Sequence, residues 1–317
     1  MRPGVRPVVS VVVATYARKK SLLRCLEALC AQSLPRDAFE VVVCDDGSPE
    51  PIAPTIAPFE DRIALTVVRK EQGGPAAARN EGARHASGQL LAFTDDDCVP
   101  EEDWLESLVG RMDRHPGHLI GGSIVNLLPD DPYATATQSI MSCVYDYYAR
   151  HPGARRFYST ANLAVPTNRF WLLDGFSEQY ERAAGEDYDF CARWSEAGFP
   201  DVYAPEAAVG HAHGHSLRSF WRQHFSYGRA LLRVRLGMAR RRGRGVIELE
   251  SPGFYREILA YPLQRDSGMR ALRGAGLVLF SQVATAAGGL REWLAPDEGW
   301  RARARRRLAP NAPSAIP

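Results

Sequence analysis

Asp95, Asp96 and Asp97 stand in a row at the end of an apolar run, and three adjacent carboxylates repel one another. A fold tolerates this most readily where a hard cation with oxygen ligands, Mg²⁺ or Mn²⁺, sits between them and a phosphate. In an extended chain residues 95 and 97 project to one side, so both can face one metal while Asp96 points elsewhere. Asp45 and Asp46, followed by Gly47 and Ser48, end another apolar run, and Glu186 and Asp187 open a helix-like segment. Solvated acidic turns and helix caps are the plain alternatives for these groups. His211, His213 and His215 alternate, which puts all three on one face if the chain is extended there.

Such residues need a scaffold that gathers strand ends. Runs rich in β-branched residues at Val8 to Ala14, Phe39 to Cys44, Ile63 to Arg69 and Gln89 to Thr94 alternate with helix-like segments. The first of these covers Ser21 to Gln32, and the next opens at Gly73-Gly74-Pro75 and runs to about His85. This alternation builds a parallel sheet covered by helices. Three strands end in polar clusters, and open α/β sheets bind ligands at the carboxyl ends of their strands. A helix over Glu101 to Arg114, a strand around Leu119 to Leu127, a mixed segment from Asp130 to Tyr158, an extended run over Thr160 to Val165 and a helix over Asp187 to Ala197 follow. After Pro205 the composition turns basic, with aromatics and arginines interleaved from Leu217 to Arg244.

The chain has 317 residues, 45% hydrophobic and 24% charged, which excludes disordered, collagenous and small disulfide-stapled classes. Its net charge of +2 hides a division: residues 1–210 carry 20 Lys and Arg against 30 Asp and Glu, and residues 211–317 carry 19 Arg against 7 acids. An acidic body with an anion-seeking tail fits this, as do helices merely solvated by arginine. Six cysteines without a Cys-x-x-Cys pair or a histidine cluster give no sign of zinc or redox chemistry, and reduced thiols fit a cytosol. Val8 to Ala14 is short for a signal segment and no cleavage site follows, so a cytoplasmic protein is expected. Gly274 to Leu290 is uncharged but short of the roughly 20 apolar residues of a membrane span, and reads as a buried or interfacial helix.

Five motifs in register carry a resemblance. They are Val11-Val12-Val13-Ala14-Thr15-Tyr16; Asp45-Asp46-Gly47-Ser48; Gly74 with Ala78, Arg79, Asn80 and Gly82; Phe93-Thr94-Asp95-Asp96-Asp97; and Gly185-Glu186-Asp187. Their order and spacing closely resemble the family 2 glycosyltransferases of GT-A fold over about residues 8–230. The resemblance implies an α/β fold with a mostly parallel central sheet flanked by helices and a C-terminal helical extension. It divides the chain into a catalytic domain over 1–215 (nucleotide-sugar half about 1–100, acceptor half about 101–215), a basic helical extension over 216–300 and a disordered tail over 301–317. Thr15, Tyr16, Asp45 and Asp46 then hold the nucleoside, and an Asp46 that accepts from a uracil-type N3 favours a UDP or dTDP sugar. Arg79, one turn into a helix facing the strand tips, meets the diphosphate, and Asp96 lies with the donor-binding residues. Asp97 becomes the principal ligand of Mn²⁺ or Mg²⁺, Asp95 touches the ribose or a metal-bound water, and His211 completes the shell. Asp187 becomes the general base of an inverting transfer, with Glu186 and Asp189 raising its pKa. The Gly175-Phe176 segment resembles the family's sugar-binding loop.

One departure bears on processivity. Processive members of the superfamily carry Gln-x-x-Arg-Trp and several membrane spans, whereas Phe220, Trp221, Arg222 and Gln223 supply these residue types in another order. A single sugar per encounter is therefore expected, passed to a hydroxyl acceptor on a glycan, a lipid-linked molecule or a small molecule. The stretch from Leu217 to Arg244 either lies peripherally on an anionic membrane or forms a helical lid on the body. Nucleic-acid binding by the arginines is the weaker option. The rival readings are a noncatalytic nucleotide-sugar or carbohydrate-binding scaffold, and a sugar-nucleotide pyrophosphorylase, whose Gly-rich phosphate loop is missing after the first strand.

Overall fold

The computed structural model describes residues 7–151, 156–180, 184–212, 214–243 and 247–296; the tail expected over 301–317 and His213 lie outside them. In chain order the elements are β1 (Val9–Thr15), α1 (Lys19–Cys30), β2 (Phe39–Asp45), α2 (Ala53–Ile56), β3 (Leu65–Arg69), α3 (Pro75–Arg84), β4 (Leu90–Asp95), β5 (Cys98–Pro100) and α4 (Trp104–Arg114). Then come β6 (Leu119–Asn126), α5 (Pro132–Arg150), β7 (Leu163–Pro166), α6 (Thr167–Leu172), α7 (Glu186–Glu196), β8 (Asp201–His211), α8 (Leu217–Arg241), α9 (Pro252–Arg265) and α10 (Gly268–Leu294).

β1 lies between β2 and β4, parallel to both, and β3 extends the parallel group beyond β2. Its alternating side chains divide between two cores. Val9, Val11 and Val13 join Leu22, Leu26 and Trp104 of α1 and α4, while Val12 joins Phe93, Phe170, Phe176, Phe190 and Trp194 on the other face. Each such valine contributes about 1.5–3 kcal/mol by leaving water. The register sets Thr15 opposite Asp45 and Ala14 opposite Asp95. The polar ends of these three strands therefore emerge along one edge.

Beyond β4 the sheet becomes mixed, in the order β3-β2-β1-β4-β7-β6-β8-β5 among the described residues. β7 runs antiparallel to β4 and β6, β8 is parallel to β6, and β5 is antiparallel to β8. The mostly parallel sheet expected from the sequence is therefore present, with its antiparallel pairings confined to the short strands β5 and β7, of which β5 left no periodic signal in the sequence.

A third layer is helical. α5, α8, α9 and α10 share a core that includes Cys143, Tyr147, Phe220, Phe254 and Val278. The mixed segment from Asp130 to Tyr158 is mostly α5, started by Asp131, whose carboxylate accepts from the amides of Tyr133 and Ala134 at 2.8 and 3.2 Å. The basic stretch from Leu217 is α8, packed on α7 through Val234 and Met238 and on α10 along its length. α8 and α10 approach backbone to backbone. A Cβ on Gly228 would lie 1.8 Å from the Thr285 carbonyl oxygen, and one on Gly288 1.9 Å from that of Phe225. Among the described residues no helix is long and apolar enough to cross a membrane.

Candidate active site

The strand tips are tied together before any substrate is considered. Thr15 donates its hydroxyl to Asp96 Oδ2 at 2.6 Å. Asp45 accepts from the Ser48 amide at 2.9 Å and from Arg69 Nη1 at 2.8 Å. Asp46 accepts from the amides of Gly73 and Gly74 at 2.9 and 2.8 Å and from Lys70 Nζ at 3.1 Å, which pins the loop that opens α3. A carboxylate has about four acceptor positions, so three are filled and one remains. Tyr16, beside them, is exposed.

β4 ends at Asp95, and the two-residue alternation ends with it. Asp96 and Asp97 consequently share Arg18, whose Nη1 lies 3.2 Å from Asp96 Oδ1 and 2.7 Å from Asp97 Oδ2. Burial pushes the Asp96 carboxyl up to about 6, against the opposing pull of the Thr15 hydrogen bond and the Arg18 charge. Asp97 Oδ1 lies 3.3 Å from His211 Nε2. Burial alone would lower the His211 pKa, but the hydrogen bond and charge of Asp97 raise it on balance.

The antiparallel pairing of β5 with β8 sets Cys98 opposite His211, and Asp97, Cys98 and His211 offer ligand atoms all within 4.8 Å of one another. No cysteine neighbours a histidine in the sequence; the sheet makes this one do so. Burial drives the Cys98 thiol well above its usual value, so it stays protonated. Carboxylate and imidazole remain, a donor set that suits Mn²⁺, and the Asp95 carboxylate stands at the end of β4, two residues before Asp97.

Arg79 links this cluster to the acceptor half. Its Nη2 donates to Asp95 Oδ1 at 2.6 Å and its Nη1 to Glu186 Oε1 at 2.7 Å, with the guanidinium buried. Burial opposes its charge, yet Asp95 and Glu186 raise its pKa above the ordinary arginine value. Glu186 is delivered by Gly185, which caps α7 at φ 99°, a conformation that favours glycine. Asp187 follows in the first turn, its Oδ1 accepting from the Tyr188 amide at 2.8 Å. Burial first, and then the charge of Glu186, push its carboxyl up to about 7. Asp189, expected to add to that push, is instead held by Arg193 at 2.8 Å and Arg241 at 3.0 Å.

The structure thus gathers Thr15, Asp45, Asp46, Asp96, Asp97 and His211 at one sheet edge, with Asp95, Arg79 and Glu186 leading from it to Asp187. Sequence reasoning missed Arg18 and Lys70, for which a basic residue in a loop is the sole signal. It also gave no role to Asn80, whose side chain clamps both backbone groups of Phe176 at 2.8 and 2.9 Å and so fixes the Gly175-Phe176 loop.

The chain is 29% identical over 208 residues to the glycosyltransferase AglE of Haloferax volcanii, covering 65% of this chain and 67% of that one. It is 28% identical over 229 residues to the validoxylamine A glucosyltransferase of Streptomyces hygroscopicus subsp. jinggangensis, covering 63% of this chain and only 54% of that enzyme. In fold it is similar to the mannosyltransferase PcManGT from Pyrobaculum calidifontis, solved with GDP-Man and Mn²⁺, with a TM-score of 0.54 at 20% identity over 98% of this chain and 89% of that one. At that identity the likeness establishes the GT-A fold alone. The family model described as Glycosyl transferase family 2 matches residues 10–174, more than half of the sequence. The chain therefore belongs to glycosyltransferase family 2.

Proposed function

We propose that this chain moves one sugar from a nucleoside-diphosphate donor to a hydroxyl acceptor, with inversion, with the help of a divalent cation, and without processive extension. The observation that carries this reading is the Arg79 guanidinium, which joins Asp95 at the tip of β4 to Glu186 in the first turn of α7. It sets the carboxylate beside Glu186 against the donor edge of the sheet.

Asp187 takes the proton of the acceptor hydroxyl as that oxygen attacks the anomeric carbon from the side opposite the diphosphate. The new glycosidic C–O bond forms while the old one breaks and its electrons leave with the diphosphate. A carboxyl near 7 is ionised in a large fraction of molecules and is still a stronger base than an ordinary aspartate. Asp97 and His211, with Asp95, are the residues that would hold Mn²⁺ or Mg²⁺, and the ion would supply positive charge to offset the negative charge growing on the leaving diphosphate. Arg79 acts as a positioning residue through its two carboxylates. Thr15, Tyr16, Asp45 and Asp46 support the nucleoside, and the acceptor position left on Asp46 favours a uridine or thymidine donor. Residues 1–215 form the catalytic unit, and the basic extension after them brings the protein against an anionic membrane surface on the cytoplasmic side.

Donor turnover with and without Mn²⁺, in the wild type and in Asp187→Asn, tests the reading. Expected are Mn²⁺-dependent transfer in the wild type and a loss of about 10²–10⁴ in the variant, with donor binding retained. Equal turnover in both proteins removes the base from Asp187. Binding without turnover in either one favours the noncatalytic scaffold.

A further inference from the structure

α10 is two-faced along its whole length. One face, with Val278, Ala284 and Gly288, is buried in the helical layer. The opposite face presents Met269, Leu272, Leu279, Val283, Leu290 and Trp293, which are between 52 and 78% exposed. Their spacing of three and four residues makes one continuous stripe, with exposed Gly276 and Ala286 filling the intervening turns. At 1.5 Å per residue the stripe is about 36 Å long.

The charges that border its flank are arginines, and the acid just before α10, Asp266, is taken up by Arg270 at 3.3 Å. Arg273 and Arg291 are exposed and stand five helical turns apart, so they border the stripe on the same flank, and Arg270 lies further round. The one acid of the helix, Glu292, is buried and held by Arg229 at 2.8 Å and Arg233 at 2.9 Å. Nothing negative on α10 answers the exposed arginines.

We infer that this stripe of α10, with Arg273 and Arg291 beside it, is the face by which the protein lies on an anionic lipid surface. The inference rests on the peripheral membrane contact proposed above and names the element that makes it. That element contains the Gly274–Leu290 stretch that the sequence left as buried or interfacial, and it replaces Leu217–Arg244 in this role because α8 is already packed on α7 and α10. An amphipathic helix with arginines at its polar border and leucines and a tryptophan on the other side beds into the headgroup boundary without spanning it. A second copy of the chain is a poorer occupant. A stripe of this length and about 10 Å wide offers each partner roughly 400 Å², well below what a stable dimer buries.

Flotation of the full chain with vesicles of phosphatidylcholine alone, and of phosphatidylcholine mixed with phosphatidylglycerol, tests this at low and high salt. Expected is binding to the mixed vesicles only, falling as salt rises. Leu279→Glu with Val283→Glu should weaken that binding at least tenfold, and Arg273→Glu with Arg291→Glu should weaken it as well. All four side chains are exposed, so donor turnover with a soluble acceptor should stay unchanged; the arginine pair keeps the test decisive if the other variant misfolds. A wild type that floats while both variants float equally well overturns the assignment to α10 but leaves membrane contact standing. A wild type that ignores the mixed vesicles overturns both. A dimer in sedimentation that Leu279→Glu with Val283→Glu dissolves would hand the stripe to a second copy.

Discussion

As the base proposed above, the Asp187 carboxyl, pushed up to about 7 by burial and by Glu186, would set the pH response of transfer. A base must be ionised to accept a proton, so kcat/KM should rise with pH through about 7 and level off above it. Glu186→Gln removes the second cause of the shift and should move that rise to lower pH; a rise that stays in place would detach the pH dependence from this pair. Stability runs the other way. The folded carboxyl binds its proton more tightly than the unfolded chain does, so its contribution is complete below the ordinary carboxylate range and is lost as pH rises through about 7. Asp187→Asn should therefore melt higher than the wild type on the alkaline side. The acidic residues were legible in the sequence because three aspartates in a row demand an explanation. Arg18 and Asn80 were not, because their partners, Asp96 and Asp97 in one case and Phe176 in the other, are brought to them only by the sheet.

β1, β2 and β4 could be read from their apolar runs and polar ends, since residues buried on both faces leave a continuous signal. α5 was hidden by its own composition, rich in Ser, Thr and Tyr, which have indifferent helix propensity and fold here against a tyrosine- and phenylalanine-lined core. α10 carries glycines at 274, 276, 288 and 289, a poor helix former in isolation. At Gly288, and at Gly228 opposite, the missing side chain is what lets two helices touch. Gly228→Ala should cost about 1–3 kcal/mol by forcing α8 away from α10. The expected readout is a lower urea midpoint with an unchanged slope; an unchanged midpoint would mean that the two backbones can separate freely.

The division of charge seen in the sequence is partly spent inside the molecule. Arg241 pairs with Asp189 and Glu196 of α7, and Arg242 also reaches Glu196, so basic α8 is clasped to the acidic body. What remains outside includes the border of α10. At this scale the donor can be sought without knowing the acceptor, because a ligand that binds only the folded chain stabilises it by mass action, about 2.7 kcal/mol at a hundredfold excess over Kd. With Mn²⁺ present, a UDP or dTDP sugar should raise the melting temperature more than a GDP sugar at equal concentration; the reverse order would end the uridine or thymidine assignment.

Arg79 also governs how the centre comes into being. Its guanidinium is shut away from water with one carboxylate from the nucleotide half and one from α7. A buried charge that loses one such partner is penalised by several kcal/mol. The bridge is therefore favoured only with both carboxylates in place, so folding of the nucleotide half and docking of α7 support each other through this one side chain.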